Sequence, residues 1–548
     1  MKIHFTLLLL LSGLFGMAQN KPANLQIGID SIFKVYDKPA NPGVAVLIVN
    51  NGKIVFEKGY GIANLEFDIP ISPATVFDIA SVSKQFTGFA ISTLIQEGKI
   101  SPDDDIHKYL PEVPDFGKTI TIRNLIHHTS GLRDWPEALH AAGWRWEEAF
   151  RYDDIMRMVK KQKELDFDPG SQYQYSNTGY NLLAAVVAKI SGKTFPDWVM
   201  ENIFKPLGMN SSQVLSDYSK NVKGHATGYY FDGDEYHKSN DALTAFGSSS
   251  IHTTVEDLAK WVIYFQKKLD EKDPVFLRLT ETDVLNNKQK NNYAYGLIVN
   301  ESNGLKNISH DGGWASYSTI ISNYPEQKLS IILLSNNGNF NSYGYENAVA
   351  RLILKDKIKP AQKREDLGGL PTIKLDTVLL KKYTGTYHLG PGWYVTFTLE
   401  DGKIMTQATN EDKFPTDIKS DTVLWVPAYS SSVTFTKITD KANAIRYHGN
   451  IAERVTPIKT SLVQLDLYAG TYYSRELETT YKLSIENGKL VGHHMRLGDF
   501  NLDPDIAIAD KFSSHVGALI FYKNNQNKIA GFRLSGGRVR NILFEKQP

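Results

Sequence analysis

The chain has 548 residues and no cysteine, which excludes disulfides, thiol catalysis and thiolate metal sites. It is 42% hydrophobic and 22% charged, a globular composition, and it is too long for a single core. A formal net charge of +1 gives no basis for a nucleic-acid or other polyanionic partner.

The N-terminus carries Lys2, an apolar run over residues 5–15, and the small residues Gly16 and Ala18 before Gln19. That pattern predicts a secretory signal peptide over residues 1–18, its apolar run being short for a membrane span. No later stretch is long and apolar enough to span, so an exported mature chain, periplasmic or secreted and without a membrane span, is expected.

Residues 24–38 read as a first helix, and the β-rich runs 43–50 and 53–60 flank Asn51-Gly52, the signature of a hairpin. Ser81 then precedes Lys84 by three residues, and Val82, Phe86, Phe89, Ala90 and Leu94 recur at helical spacing up to Gly98. The pair therefore falls on one face at the start of a helix, within side-chain reach. A serine hydroxyl becomes a nucleophile when a base takes its proton, and a lysine can serve once burial or a nearby cation lowers its pKa. The helix N-terminus also offers N–H groups to a developing oxyanion. The spacing is not specific alone, since Ser31 and Lys34 share it.

His127 and His128 are adjacent, but no acidic or histidine partner stands at ligand spacing. A turn closed by Thr129, Ser130 and Gly131 is expected there rather than a metal site. Tyr175 and Asn177 lie in a loop entering a helix over residues 179–190, which Gly192 ends. Polar side chains so placed can face a cleft; the structural alternatives are Asn177 as helix N-cap and Tyr175 as core. Tyr345 with Asn347 and Tyr522 with Asn524 repeat the spacing. Residues 247–250 form a small-residue loop, and Thr254 with Asp257 resembles a capping box opening a helix to about residue 269.

Strands are expected over residues 295–300, 307–313, 316–323 and 329–334, and a closing helix over 346–354. One strand ends in His310-Asp311-Gly312-Gly313, where glycines would let a substrate lie close against an edge. The order predicts an α/β (α+β) sandwich with an antiparallel sheet over residues 24–356. Residues 357–376, with Pro360, Gly368, Gly369 and Pro371, read as a linker. Beyond it Tyr383-Thr384-Gly385-Thr386-Tyr387 is echoed by Tyr468-Ala469-Gly470-Thr471-Tyr472, and Glu400-Asp401-Gly402-Lys403 by Glu486-Asn487-Gly488-Lys489. Two small antiparallel β-barrel domains, over residues 377–460 and 461–548, fit this repeat.

Ser81 with Lys84, Tyr175 with Asn177, and His310-Asp311-Gly312 occur in an order that resembles the serine β-lactamase and penicillin-binding-protein superfamily. The likeness is to class C β-lactamases and their esterase and D-aminopeptidase relatives. His127–Leu132 and Tyr295-Gly296-Leu297 share it. It implies a β-lactamase/transpeptidase-like fold followed by lipocalin-like barrels, and a serine hydrolase that needs no cofactor. Ser81 would be the acylated nucleophile, Lys84 would share its proton, and Tyr175 would be the second proton carrier. Asn177 would bond Lys84 or the substrate, and His310, Gly312 and Gly313 would line the substrate site. The N–H groups of Ser81 and Gly313 would form the oxyanion hole. Histidine replaces the lysine usual in β-lactamases, and a neutral imidazole beside Asp311 argues against carboxylate-bearing substrates. An exported hydrolase acting through an acyl-enzyme on a peptide, D-amino-acid-containing ones included, or an ester is the expected function. The rivals are a β-lactamase or D,D-peptidase, and a low-turnover binding protein that uses the barrels.

Overall fold

The computed structural model describes residues 20–38, 40–358, 367–390, 392–438, 442–458 and 464–548. The expected signal peptide and residues 359–366 of the expected linker lie outside the described residues. Among the described residues no helix is long and apolar enough to cross a membrane. The described residues divide into two compact units, residues 20–140 with 144–358, and residues 141–143 with those from 367 onward.

The first unit opens with α1 (Asn20–Phe33), then the hairpin β1 (Val44–Asn50) and β2 (Lys53–Tyr60). Asn51 and Gly52 both take left-handed φ, 51° and 71°, as a two-residue hairpin turn requires. α2 (Lys84–Gln96), α3 (Asn177–Ser191) and α4 (Val255–Asp270) follow. Then come β3 (Ile298–Ser302), β4 (Leu305–Trp314), β5 (Tyr317–Tyr324), β6 (Leu329–Ser335) and α5 (Ser342–Leu354).

These strands form a six-stranded sheet in the order β3-β4-β5-β6-β1-β2 among the described residues, every pairing antiparallel. β1 is apolar from Val44 to Val49 because both of its faces are covered. Ile29, Phe33, Val46, Ile331 and Val349 form the core between the sheet and the terminal helices α1 and α5. α4 packs on β1 and β6. Each fully buried aliphatic side chain contributes about 1.5–3 kcal/mol.

Two local expectations change. Tyr295 and Gly296 do not enter a strand; β3 starts at Ile298, because Gly296 turns at φ 75° and packs its backbone on Lys84. Only half of the capping box forms: Thr254 Oγ1 accepts from Asp257 N, while the Asp257 carboxylate accepts from Ser211 N and Ser212 Oγ.

Among the described residues of the second unit, a nine-stranded antiparallel sheet has Lys413–Pro415 at one end of its strand order and Asp417–Ile418 at the other. Only Thr416 separates those strands in sequence, so the sheet must curl until its ends nearly meet. This is a nearly closed barrel. The following strands, Gly470–Ser474 through Val539–Lys546, close fully. The Tyr394 hydroxyl donates to Asp505 Oδ1 at 2.6 Å, joining the two repeats within one unit.

The helix α2 is held against the 295–296 backbone by a missing side chain. A Cβ on Gly88 would lie 2.0 Å from Tyr295 O. Gly88→Ala should therefore destabilise the protein by roughly 1–3 kcal/mol, although the same change in a free helix stabilises by about 1 kcal/mol. Thermal unfolding followed by circular dichroism reads this out, and an unchanged or raised Tm would contradict the packing described.

Candidate active site

Ser81 lies in a 3₁₀ turn, Ala80–Ser83, that runs directly into α2 at Lys84. With three residues per turn, side chains at i and i+3 stand one above the other, so the turn itself brings Ser81 and Lys84 together. The turn is entered under strain. Ala80 takes φ 46°, unusual for a residue with a Cβ. The Asp78 carboxylate accepts from Ala80 N at 2.8 Å, Ile79 N donates to Ile251 O, and Thr319 Oγ1 donates to Ile79 O. Asp78 is buried, and that burial raises its pKa to about 7.

Ser81 is half-buried, while Lys84 has no exposed surface. Lys84 Nζ donates to Ser81 Oγ at 2.9 Å, to Asn177 Oδ1 at 2.7 Å and to Ser248 O at 2.7 Å. All three acceptors are neutral oxygens. Asn177 begins α3, and its cap comes from a distant residue: Asp134 Oδ1 accepts from Asn177 N at 2.6 Å and Oδ2 from Nδ2 at 3.2 Å. The bidentate grip fixes the amide so that its oxygen faces Lys84.

The Tyr175 ring sits 4.9 Å from Lys84 Nζ and 4.3 Å from the His128 ring. His128 Nδ1 accepts from Ser176 N, and His127 Nδ1 donates to Tyr293 O at 2.7 Å. The two histidines thus tie down the segments that carry Tyr175 and Tyr293. Among the described residues no group of three or more His, Asp or Glu side chains is placed to hold a metal ion.

Two expected substrate contacts are placed differently. His310 is buried with both ring nitrogens engaged: Nδ1 with Asp311 O at 2.6 Å and Nε2 with the Tyr293 hydroxyl at 2.9 Å. A carbonyl can only accept, so Nδ1 carries the proton and Nε2 accepts from Tyr293. Burial first, and the charge of Lys84 second, lower the His310 pKa to about 4, so the ring is neutral at pH 7. Gly312 is needed for packing: a Cβ there would lie 2.3 Å from Ile79 O and 2.5 Å from Thr319 Oγ1. Gly313 has open space at its Cβ position. β3 pairs with β4 only from Leu305 to Ser309, so within this sheet residues 310–314 pair with β5 alone. Gly313 is thus on a local edge beside the turn that carries Ser81.

The structure therefore gathers Ser81, Lys84, Asn177, Tyr175 and His310 around one centre. Sequence reasoning missed Asp134, Ser248 and Tyr293. Asp134 closely follows the flagged 127–132 run, the one signal that pointed its way. Ser248 acts through its carbonyl, which leaves no side-chain signature.

The His310 burial has a pH consequence. Unfolded histidine takes a proton near pH 6.5, whereas the folded ring waits until about pH 4. Between those values the unfolded chain binds the extra proton, so this residue's contribution to stability falls as pH is lowered. His225 and His252, also lowered to about 4, act in the same sense, and Asp78 in the opposite one. From pH 7 to 5 the wild type should lose on the order of 1–2 kcal/mol more stability than His310→Gln. Urea unfolding at both pH values measures this, and equal losses would contradict it.

The β-lactamase family model matches residues 29–355, more than half of the 548-residue chain. A penicillin-binding protein of Bacillus subtilis strain 168 is 28% identical over 457 residues, covering 78% of this chain and 96% of the relative. Among solved structures, the octameric penicillin-binding protein homologue from Pyrococcus abyssi superposes with TM-score 0.55 at 20% identity, covering 87% of this chain and 99% of that one. The D-amino acid amidase from Ochrobactrum anthropi SV3 superposes with TM-score 0.52 at 21% identity, covering 61% and 99%. Those likenesses agree with the fold described above. The chain belongs to the β-lactamase family and is a serine hydrolase.

Proposed function

We propose that the protein is an exported hydrolase that forms an acyl-enzyme on Ser81 and acts on peptide or ester substrates, D-amino-acid amides included. One observation carries this reading: Lys84 Nζ lies 2.9 Å from Ser81 Oγ, buried and held by two further neutral oxygens. In its uncharged form that amine takes the Ser81 proton as Oγ bonds to the substrate carbonyl carbon. The N–H groups of Ser81 and Gly313 stabilise the oxyanion. Collapse breaks the bond to the amine or alcohol, which takes a proton from the Lys84 and Tyr175 pair. Water then attacks the ester by the reverse path.

The substrate class rests on charge and on kinship. His310 is neutral and internally bonded at the position where β-lactamases usually place a lysine, so no ammonium from this position meets a substrate carboxylate. The name of the structural relative supports D-amino-acid amides. Export rests on the pattern of residues 1–18. The penicillin-binding relative favours a second reading, a D,D-peptidase or β-lactamase.

Steady-state hydrolysis separates the two. D-phenylalanine amide and a p-nitrophenyl ester should give kcat/KM at least ~100-fold above nitrocefin, and Ser81→Ala should lose at least ~1,000-fold on the substrates that turn over. Faster saturable turnover of nitrocefin would select the β-lactamase reading, and full activity in Ser81→Ala would remove Ser81 from the chemistry.

A further inference from the structure

The two barrel repeats of the second unit align residue by residue through their matching hairpins. Val395 stands five residues before Glu400, as Tyr481 stands five before Glu486. Ala408 stands five after Lys403, as His494 stands five after Lys489. Both hairpins keep the same register, with Glu400 opposite Lys403, Glu486 opposite Lys489, and Val395 opposite Ala408.

In the second repeat these positions help fill the barrel. Tyr481 is fully buried, its ring 5.1 Å from that of His494 and 4.9 Å from Phe544. Phe500 covers Gly492, where a Cβ would lie 2.3 Å from its ring. Rings of Tyr472, Phe521 and Phe532 occupy the rest.

The first repeat replaces that tyrosine and histidine with valine and alanine, and the space is not refilled. A cavity of about 180 Å³ remains, bounded by Val395 and Ala408 together with the aliphatic Leu389, Val426, Val433 and Ile445. Trp393 and Tyr447 stand at its edge, and the Tyr429 hydroxyl donates to Glu411 there. Well-packed cores hold few voids of this size. An apolar cavity of about 150 Å³ stays dry and admits benzene or xenon.

We propose that the first barrel is a binding site for a small, uncharged, ring-sized apolar molecule, held where the second barrel places Tyr481 and His494. The site belongs to the second unit and does not depend on the chemistry at Ser81. Its walls are mostly apolar and offer dispersion contact, the lining Thr406 hydroxyl being paired with that of Thr416, and the Glu411 carboxylate at the edge disfavours acids.

Fluorine NMR of fluorobenzene with the full-length protein tests this. The probe should bind saturably to one site, toluene should displace it, and benzoate should not. Val395→Phe fills the cavity and should weaken binding at least 10-fold; Ala408→Leu gives the same reading from the facing strand should the first variant fail to fold. Absence of saturable binding to the wild type would overturn the proposal. So would binding retained within two-fold in a folded cavity-filling variant, or displacement by benzoate as effective as by toluene.

Discussion

The Lys84 amine reaches Ser81 Oγ, Asn177 Oδ1 and Ser248 O, and those atoms come from three separate segments. Burying an amine is costly unless fixed acceptors replace water, so all three segments must be positioned together. The first unit shows what that requires. Gly88 and Gly296 give up side chains so that α2 can lie against backbone. Asp134 reaches across to cap α3 and orient Asn177. Asp78 stabilises the left-handed Ala80 that starts the Ser81 turn. Each feature is local, and each serves the same three hydrogen bonds.

Much of this was legible in the sequence because it is written in local spacing. The Ser81 and Lys84 pair, the Asn51-Gly52 hairpin and the helix beginning near Asn177 are periodic or turn signals, and the structure places all of them close to where they were expected. The parts that were not legible act over long range or through the backbone. Asp134 caps a helix that starts 43 residues later. Tyr293 bonds His310 from a stretch without periodicity. The 3₁₀ geometry at Ser81 is a refinement of the same kind, since an i, i+3 spacing does not distinguish it from an α-turn.

The sequence and the fold present His310 differently. A histidine that looks available in sequence is, in the fold, a buried neutral ring between Asp311 and Tyr293. Its position removes a cation from the site and adds an acid-sensitive element to the core. The second unit makes a comparable exchange. Both barrels hold aromatic rings in their cores, and the first leaves about 180 Å³ open.

The central claim is that Lys84 activates Ser81 for covalent chemistry. Intact-mass analysis after a fluorophosphonate, followed by peptide mapping, tests it most directly. A single adduct on Ser81 in the wild type, absent from Ser81→Ala and strongly slowed in Lys84→Met, is expected. An adduct on another residue, or equal labelling rates in wild type and Lys84→Met, would contradict it.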